Sequence, residues 1–398
     1  MTISEEILRV AAKGDGMTES GRHFARTAPG DRVLADGSIE FGPHHADPAC
    51  RHYGACGGCQ LQHLDEETLA AFVTERVMYA AEGQGLKAEV FAPVHLSPPH
   101  SRRRATLHAV NGGGGPLIGF REAGSHKIVG LSECPVLVPE LAETVDRLRK
   151  LLARRKGKYA ADIELTLAEQ GVDCGLKGLS AEGLEETEAL LDFARDNGLA
   201  RLTMDDGYGP ETRWEPEPVT ISLSGVSVPF PSGAFLQATA DGEAVLVGAA
   251  REWLAGSKTI VDLFAGLGTF AYGLAGPAKV LAVEAARDAH AACKSAAGLS
   301  GKPVHSLHRD LFRNPLQVDE LNLFDSAVLD PPRAGARDQV KLLAQSTVPR
   351  IVYVSCNPSS WARDAATLVE GGYRLAELRP VGQFRWSTHV ELASLFIR

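Results

Sequence analysis

From about residue 238 to the end of the chain, short apolar runs alternate with segments of helical period. TIVDLF precedes TFAYGLA, KVLAVEA precedes ARDAHAACKSAAGL, PVHSLH precedes a loop, DSAVLD precedes a helical stretch near 337–346, and RIVYVSC precedes SWARDAATLVEGG. Strands apolar on both faces that alternate with helices predict a parallel, doubly wound sheet. The two closing runs, YRLAELRPV and VELASLFIR, follow each other without a helix and predict an antiparallel hairpin added at one edge. Between about 90 and 235 the pattern changes to short strands broken by Gly and Pro, with helices around 137–155 and 181–197, the second stopped by Asn197-Gly198. Upstream, Leu69, Phe72, Val73, Val77 and Ala80 recur at helical spacing and predict a helix with one buried face. The first forty or so residues, punctuated by Gly and Pro, leave room for two or three strands. The expected α/β architecture has four parts: a β-rich N-terminal segment (1–42), a cysteine loop and helix (43–90), an α+β middle domain (91–235) and a Rossmann-like domain (236–398).

Composition narrows the class. The chain has 398 residues, 44% of them hydrophobic, and no apolar stretch near the roughly 20 residues a membrane span needs. Its start, MTISEEILRV, is acidic and carries no export pattern, so a cytoplasmic protein is expected, with no obligate protein partner inferred. A net charge of -9 argues against a chain that coats nucleic acid non-specifically. Two basic runs interrupt this acidity: Arg102, Arg103 and Arg104, then Arg147, Arg149, Lys150, Arg154, Arg155, Lys156 and Lys158. Each is either a solvated face or part of a focused nucleic-acid footprint. Seven cysteines, an odd number in a long chain, indicate a reducing compartment and not a disulfide framework.

The chemistry-bearing residues sit where strands of the last domain should end. In DLFAGLG, Gly266 and Gly268 permit a tight turn into a helix N-terminus, and Gly266-x-Gly268-x-x-Ala271 also satisfies the dinucleotide fingerprint. Glu284 closes the second strand, where a carboxylate can hold ribose hydroxyls, and Asp310 follows the third, within reach of an adenine amino group. Asp330-Pro331-Pro332-Arg333 forms a stiff acidic rim after the fourth strand, suited to gripping a planar amide or amine and without use in a dehydrogenase. Cys356 ends the fifth strand as a candidate nucleophile. Glu391, among apolar neighbours on the last strand, is a candidate base whose pKa burial would raise.

Together, VDLFAGLG (261–268), LDPPRAG (329–335), VSCNP (354–358), HVEL (389–392) and FLQAT (235–239) resemble the RNA uracil-C5 methyltransferases that act on transfer RNA and large-subunit ribosomal RNA. The resemblance implies that Gln237, Phe264, Thr269, Glu284 and Asp310 line S-adenosyl-L-methionine and that Asp330 contacts the cofactor and base region. It further implies that Cys356 adds to uracil C6 and that Glu391 removes the C5 proton. Thr269 departs from the asparagine common in the ribosomal branch.

Cys50-x5-Cys56-x2-Cys59 supplies three thiols from one Gly-rich loop, and Cys134-Pro135 can supply a fourth; four thiolates suit zinc or an iron-sulfur cluster. The same spacing resembles the 4Fe-4S loop of the ribosomal branch, which favours ribosomal over transfer RNA as partner. Cys174 and Cys293 are expected to pack. Family members usually begin with an oligonucleotide-binding barrel; only about 42 residues precede the cysteine loop here, APGDRV resembling that barrel's end, so a truncated or degenerate version is expected. Two alternatives of another kind are an iron-sulfur oxidoreductase binding a dinucleotide at Gly266 and Gly268, and a silent RNA-binding module. Cytosine methylation is disfavoured, because no cysteine stands beside the Pro331-Pro332 rim.

Overall fold

The computed structural model describes residues 4–155, 157–181 and 183–398; Lys156 of the second basic run and the first three residues of the N-terminal segment lie outside these. The N-terminal segment forms five short antiparallel strands in the order His23–Phe24, Gly16–Thr18, Glu5–Val10, Arg32–Val33, Ile39–Glu40. Three of the five span only two residues, too short to show a period of two. Asp31, fully enclosed, holds the closing turn: its carboxylate accepts from the Ala28 and Gly42 amides (2.8 and 2.7 Å) and faces His45 Nδ1 at 2.8 Å.

The helix Glu66–Glu82 is capped by Asp65, which accepts from the Thr68 amide, and buries Leu69, Phe72, Val73, Val77 and Ala81 with Ala80 at the rim. Its buried face shares one core with the helix Pro358–Glu370 and the strand Arg374–Gly382 of the last domain. The chain then adds Val90–Phe91 and His95–Leu96 alongside Arg374–Gly382, in parallel. Residues that follow this helix therefore complete the sheet of the last domain.

The middle domain is a seven-stranded sheet: Ile128–Gly130, Pro116–Arg121, Arg104–Asn111, Tyr159–Ala168, Gly171–Lys177, Arg201–Asp205, Glu211–Trp214. Only Gly171–Lys177 and Arg201–Asp205 run parallel, and the helix Gly183–Asp196 crosses between them. With Pro139–Leu152 it covers a core built on Leu107, Leu141, Leu148, Ile163, Leu165 and Leu202. The Thr220–Leu223/Val226–Pro229 hairpin packs elsewhere: Ile221, Leu223, Val226 and Val228 join the core of the last domain with Leu246 and Phe270.

The large sheet runs Val304–His308, Lys279–Glu284, Thr259–Leu263, Ser326–Leu329, Arg350–Ser355, Glu391–Ile397, Arg374–Gly382, Val90–Phe91. The first five strands are parallel, as alternation predicts. The last two differ from the expected edge hairpin. Glu391–Ile397 inserts between Arg350–Ser355 and Arg374–Gly382, antiparallel to both, so the final strand is interior. An antiparallel strand begins where its parallel neighbours end, and Glu391 thus lies at the same edge as Ser355 and Cys356, with Leu392 opposite Ser355. Where a loop was expected after the third strand there is one short helix, Val318–Leu321.

Between these units, Arg201 makes a two-pronged bond to Asp173 (2.9 and 2.7 Å) and donates to the Phe230 carbonyl, with both side chains under a tenth exposed. Arg201→Ala leaves Asp173 buried without its counter-charge, and removing one partner of such a pair costs about 3–5 kcal/mol. A clear drop in the denaturant midpoint of unfolding is expected, whereas an unchanged midpoint would mean water reaches Asp173.

Candidate functional site

Strand order reverses between Thr259–Leu263 and Ser326–Leu329, and the loops leaving these two strands open a crevice at the carboxyl edge. The glycine turn forms one wall. Phe264 adopts a left-handed conformation (φ 65°), Gly266 and Gly268 follow at φ 55° and 94°, and a Cβ on Gly268 would fall 2.8 Å from the Tyr272 ring. Thr269 opens the next helix, Thr269–Leu274. Glu284 accepts from the Gly266 amide (2.8 Å) and the Ala286 amide (2.6 Å), fastening the second strand end to the turn. Asp310 accepts from the Phe312 amide at 2.9 Å, and the Phe312 ring stands 5.3 Å from that of Phe264. Phe264, Thr269, Glu284 and Asp310 thus line one continuous stretch of the edge, with the exposed Phe312 added. This fits a nucleoside cofactor: carboxylates for hydroxyl and amino groups, aromatic faces for a purine.

The second wall carries the reactive groups. Asp330 accepts from Gln237 Nε2 at 3.1 Å, and loss of solvent pushes its pKa up to about 7. Cys356 follows the strand Arg350–Ser355, where burial and then the charges of Glu391 and Asp330 push its thiol up to about 11. Glu391 is 3% exposed; burial and then Asp330 push it up to about 8, while Gln383 and Arg104 pull the other way. Asn357 Nδ2 and Ser360 Oγ both donate to the Arg333 carbonyl at 2.9 Å, locking the Asp-Pro-Pro-Arg rim to the start of the helix Pro358–Glu370. Cys356, Glu391, Asp330 and Gln237, separated by up to 154 positions, converge here.

Two residues at this wall were not singled out as site residues by the sequence. Gln383, 1% exposed, bonds Glu391 and Gln237. Arg104 faces Glu391 and Cys356 with its guanidinium 4.5 Å from the Phe235 ring centre, and among the described residues its Nε has no hydrogen-bond partner. The first basic run is therefore not a solvated face: its three arginines are half-buried and Arg104 stands at the reactive wall. Arg103 pairs with Glu243 at 2.5 Å, and burial lowers the proton affinity of Arg102 and Arg104. In the second run, Arg147 and Arg149 pair with Glu143 and Asp146 of their own helix, and Arg155 with Glu186.

Cys50, Cys56, Cys59 and Cys134 line one cavity, together with Tyr53, Gln62, Arg102 and Phe120. The Arg51 guanidinium and amide both meet Glu133, fixing the loop to the segment that carries Cys134. Burial raises the thiols of Cys50 and Cys56 and pushes Cys59 up to about 12, so a metal would have to displace protons. Among the described residues no three acidic, histidine or cysteine side chains converge closely enough to hold a single metal ion. Cys174 and Cys293 are fully buried in their cores.

Among known proteins, the profile of a family described as tRNA (Uracil-5-)-methyltransferase matches residues 307–398. An RNA methyltransferase of Zymomonas mobilis is 49% identical, covering 99% of this chain and all of its own. The 23S rRNA (uracil(1939)-C(5))-methyltransferase RlmD of Edwardsiella ictaluri is 33% identical, over 96% of this chain and 87% of its own. In fold, the tRNA (uracil-54, C5)-methyltransferase of Pyrococcus abyssi, solved with S-adenosyl-L-homocysteine, matches with a TM-score of 0.78 over 99% of both chains at 23% identity. Near end-to-end matches at these identities make the chain a member of the S-adenosylmethionine-dependent RNA uracil-C5 methyltransferases.

Proposed function

We propose that the protein forms 5-methyluridine in 23S ribosomal RNA, with Cys356 as nucleophile, Glu391 as base and a 4Fe-4S cluster on Cys50, Cys56, Cys59 and Cys134. The observation that carries the reaction is the meeting of Cys356 and Glu391 in a desolvated corner next to Asp330. Uracil C5 is too weak a nucleophile to take a methyl group directly. Addition of the Cys356 thiolate at C6 moves the ring electrons to C5 and the C4 oxygen, making C5 nucleophilic. The cofactor, when bound, would supply a sulfonium methyl group: C5 would attack the methyl carbon as the methyl–sulfur bond breaks and S-adenosylhomocysteine leaves as a neutral thioether. Glu391 then accepts the C5 proton, the C5–C6 double bond re-forms, and the thiolate leaves. Gln237, Phe264, Thr269, Glu284 and Asp310 hold the cofactor; Asp330 orients both it and the base, and Arg104 stands ready to meet an anionic oxygen of the target nucleotide.

Ribosomal RNA is favoured by the likeness to an enzyme named for 23S rRNA and by the cysteine set. Transfer RNA is the second reading, supported by the family description that matches residues 307–398. Four thiols lining one cavity could supply one thiolate to each iron of a 4Fe-4S cluster, and the Cys50-x5-Cys56-x2-Cys59 spacing with Cys134-Pro135 is what favours it over zinc. Such a cluster would tie the loop to the middle domain. Among the described residues no helix is long and apolar enough to cross a membrane.

Isotope-labelled S-adenosylmethionine, incubated with unmodified ribosomal or transfer RNA and anaerobically purified protein, should place label in 5-methyluridine of ribosomal RNA. Label confined to transfer RNA would move the substrate to the second reading. Cys356→Ala should abolish transfer while retaining cofactor binding, and Glu391→Gln should accumulate a covalent protein–RNA adduct. Purified protein should contain about four iron and four sulfide per chain, both reduced in Cys59→Ser; stoichiometric zinc without sulfide would overturn the cluster.

Glu391 also makes a prediction without substrate. Its folded pKa of about 8 lies above the ordinary 4.5, so its contribution to stability is complete below about pH 4.5 and declines as the pH rises towards 8. A glutamine never ionises. Cofactor-free Glu391→Gln should therefore gain melting temperature over the parent between pH 5 and pH 8, at ~1 °C per kcal/mol for a chain of 398 residues; a difference constant with pH would contradict the raised pKa.

A further inference from the structure

Glu391 is one end of a chain of side chains that runs to Asp330. Gln383 Nε2 donates to Glu391 Oε2 and to Gln237 Oε1 (2.8 Å), while its own oxygen accepts from the Thr239 amide at 3.4 Å. Gln237 Nε2 continues to Asp330 Oδ2 at 3.1 Å. The Thr239 amide sets the direction: its N–H must meet an oxygen, which turns the Gln383 nitrogen and its two hydrogens toward Glu391 and Gln237. Both glutamines are almost fully enclosed, at 1% and 3% exposure. Space for Gln383 is built into the neighbouring helix. A Cβ on Gly242, in the first turn of Ala240–Trp253, would fall 2.9 Å from Gln383 Cβ and 3.1 Å from its oxygen.

We propose that Gln383 is the positioning residue for Glu391, fixing one carboxylate oxygen with a donated hydrogen bond so that the other meets the C5 proton. The same amide sets the orientation of Gln237, so the base and the cofactor-binding amide are held by one side chain. This rests on the reading of Glu391 as the base.

The consequence concerns one step of the reaction. A donor to a carboxylate favours its ionised form. Of the groups facing Glu391, Asp330 on the fourth strand tip disfavours that form, while Arg104 from the middle domain and Gln383 favour it. Without Gln383, Glu391 should hold its proton to higher pH, slowing the step in which it must accept one, while the loosened Gln237 weakens cofactor binding, which saturating S-adenosylmethionine offsets. Thiolate addition and methyl transfer need no such base.

The test is single-turnover reaction with saturating S-adenosylmethionine and target RNA, following formation and breakdown of the protein–RNA adduct from pH 6 to 9. Gln383→Met keeps size and loses the donor; Gln383→Glu keeps shape and adds an acid; Glu391→Gln is run beside them. In both Gln383 variants, adduct should form at near the parental rate, break down roughly tenfold more slowly at pH 7, and show a breakdown profile displaced by about one unit to higher pH. A variant that does not fold would fail to form adduct at all, and the other then decides. Parental breakdown profiles with a trapped Glu391→Gln adduct would overturn the role of Gln383 and leave the base in place. Normal breakdown in Glu391→Gln would remove the base reading and Gln383's role with it.

Discussion

Withdrawal of carboxyl groups from water at one edge of the large sheet is the constraint on which the site depends. Asp262 and Glu391 are enclosed, Asp330 lies between them at a strand tip, and each is pushed above the ordinary carboxylate range chiefly by burial. Asp330 raises both of the others. Three such groups cannot all ionise close together without a cation, and that edge is where a positively charged sulfonium cofactor would lie. The fold accepts the unfavourable burial because the surrounding strands are apolar on both faces: Val261, Leu263, Val328, Leu329 and Leu392 are all 0% exposed.

Enclosure of Glu391 follows from topology. A final strand at an open edge would leave its first residue beside solvent. Here it is covered on one side by Arg350–Ser355 and on the other by Arg374–Gly382, which is itself covered by Val90–Phe91 and His95–Leu96. The loop between the last two strands is tied down as well. The amides of Gln60 and Leu61 both donate to the Trp386 carbonyl, and Arg385 pairs with Glu66 and donates to the Ser97 carbonyl at 3.0 Å. Arg102 extends this linkage, lining the cysteine cavity while its guanidinium stands 5.7 Å from the Phe384 ring, next to Gln383. The cysteine loop and Glu391 thus rest on the same few residues, so whatever orders the loop is mechanically connected to that carboxyl.

The alternation of apolar runs and helical segments was legible, and so was the placing of Cys356, Asp330 and Glu284 at strand ends, because a strand's end can be read from where its apolar run stops. Other features were not. The interior position of the last strand depends on pairing between residues 391–397 and 350–355, which leaves no local pattern. Arg102, Arg103 and Arg104 read as a charge run, since the partners that draw them inward, Glu243 and Phe235, are more than 130 positions away. Gln383 carried no signal either. Its role lies in bonds to Gln237 and Glu391, and a single glutamine after a strand belongs to no spacing rule.

The raised pKa of Glu391 looks at first like a defect in a base, for at neutral pH a carboxyl with a pKa of about 8 is mostly protonated. Charge changes during the proposed reaction resolve this. S-adenosylmethionine enters as a sulfonium, and a nearby positive charge favours the ionised carboxylate. Methyl transfer converts the sulfonium to a neutral thioether, removing that charge. In that reaction the proton affinity of Glu391 would rise at the step where the C5 proton must leave, the more so because little water is present to screen the change. A solvent-exposed carboxylate would be ionised throughout and would gain nothing from the transfer; an enclosed one, held by Gln383 and opposed by Asp330, becomes a stronger base when the methyl group has moved.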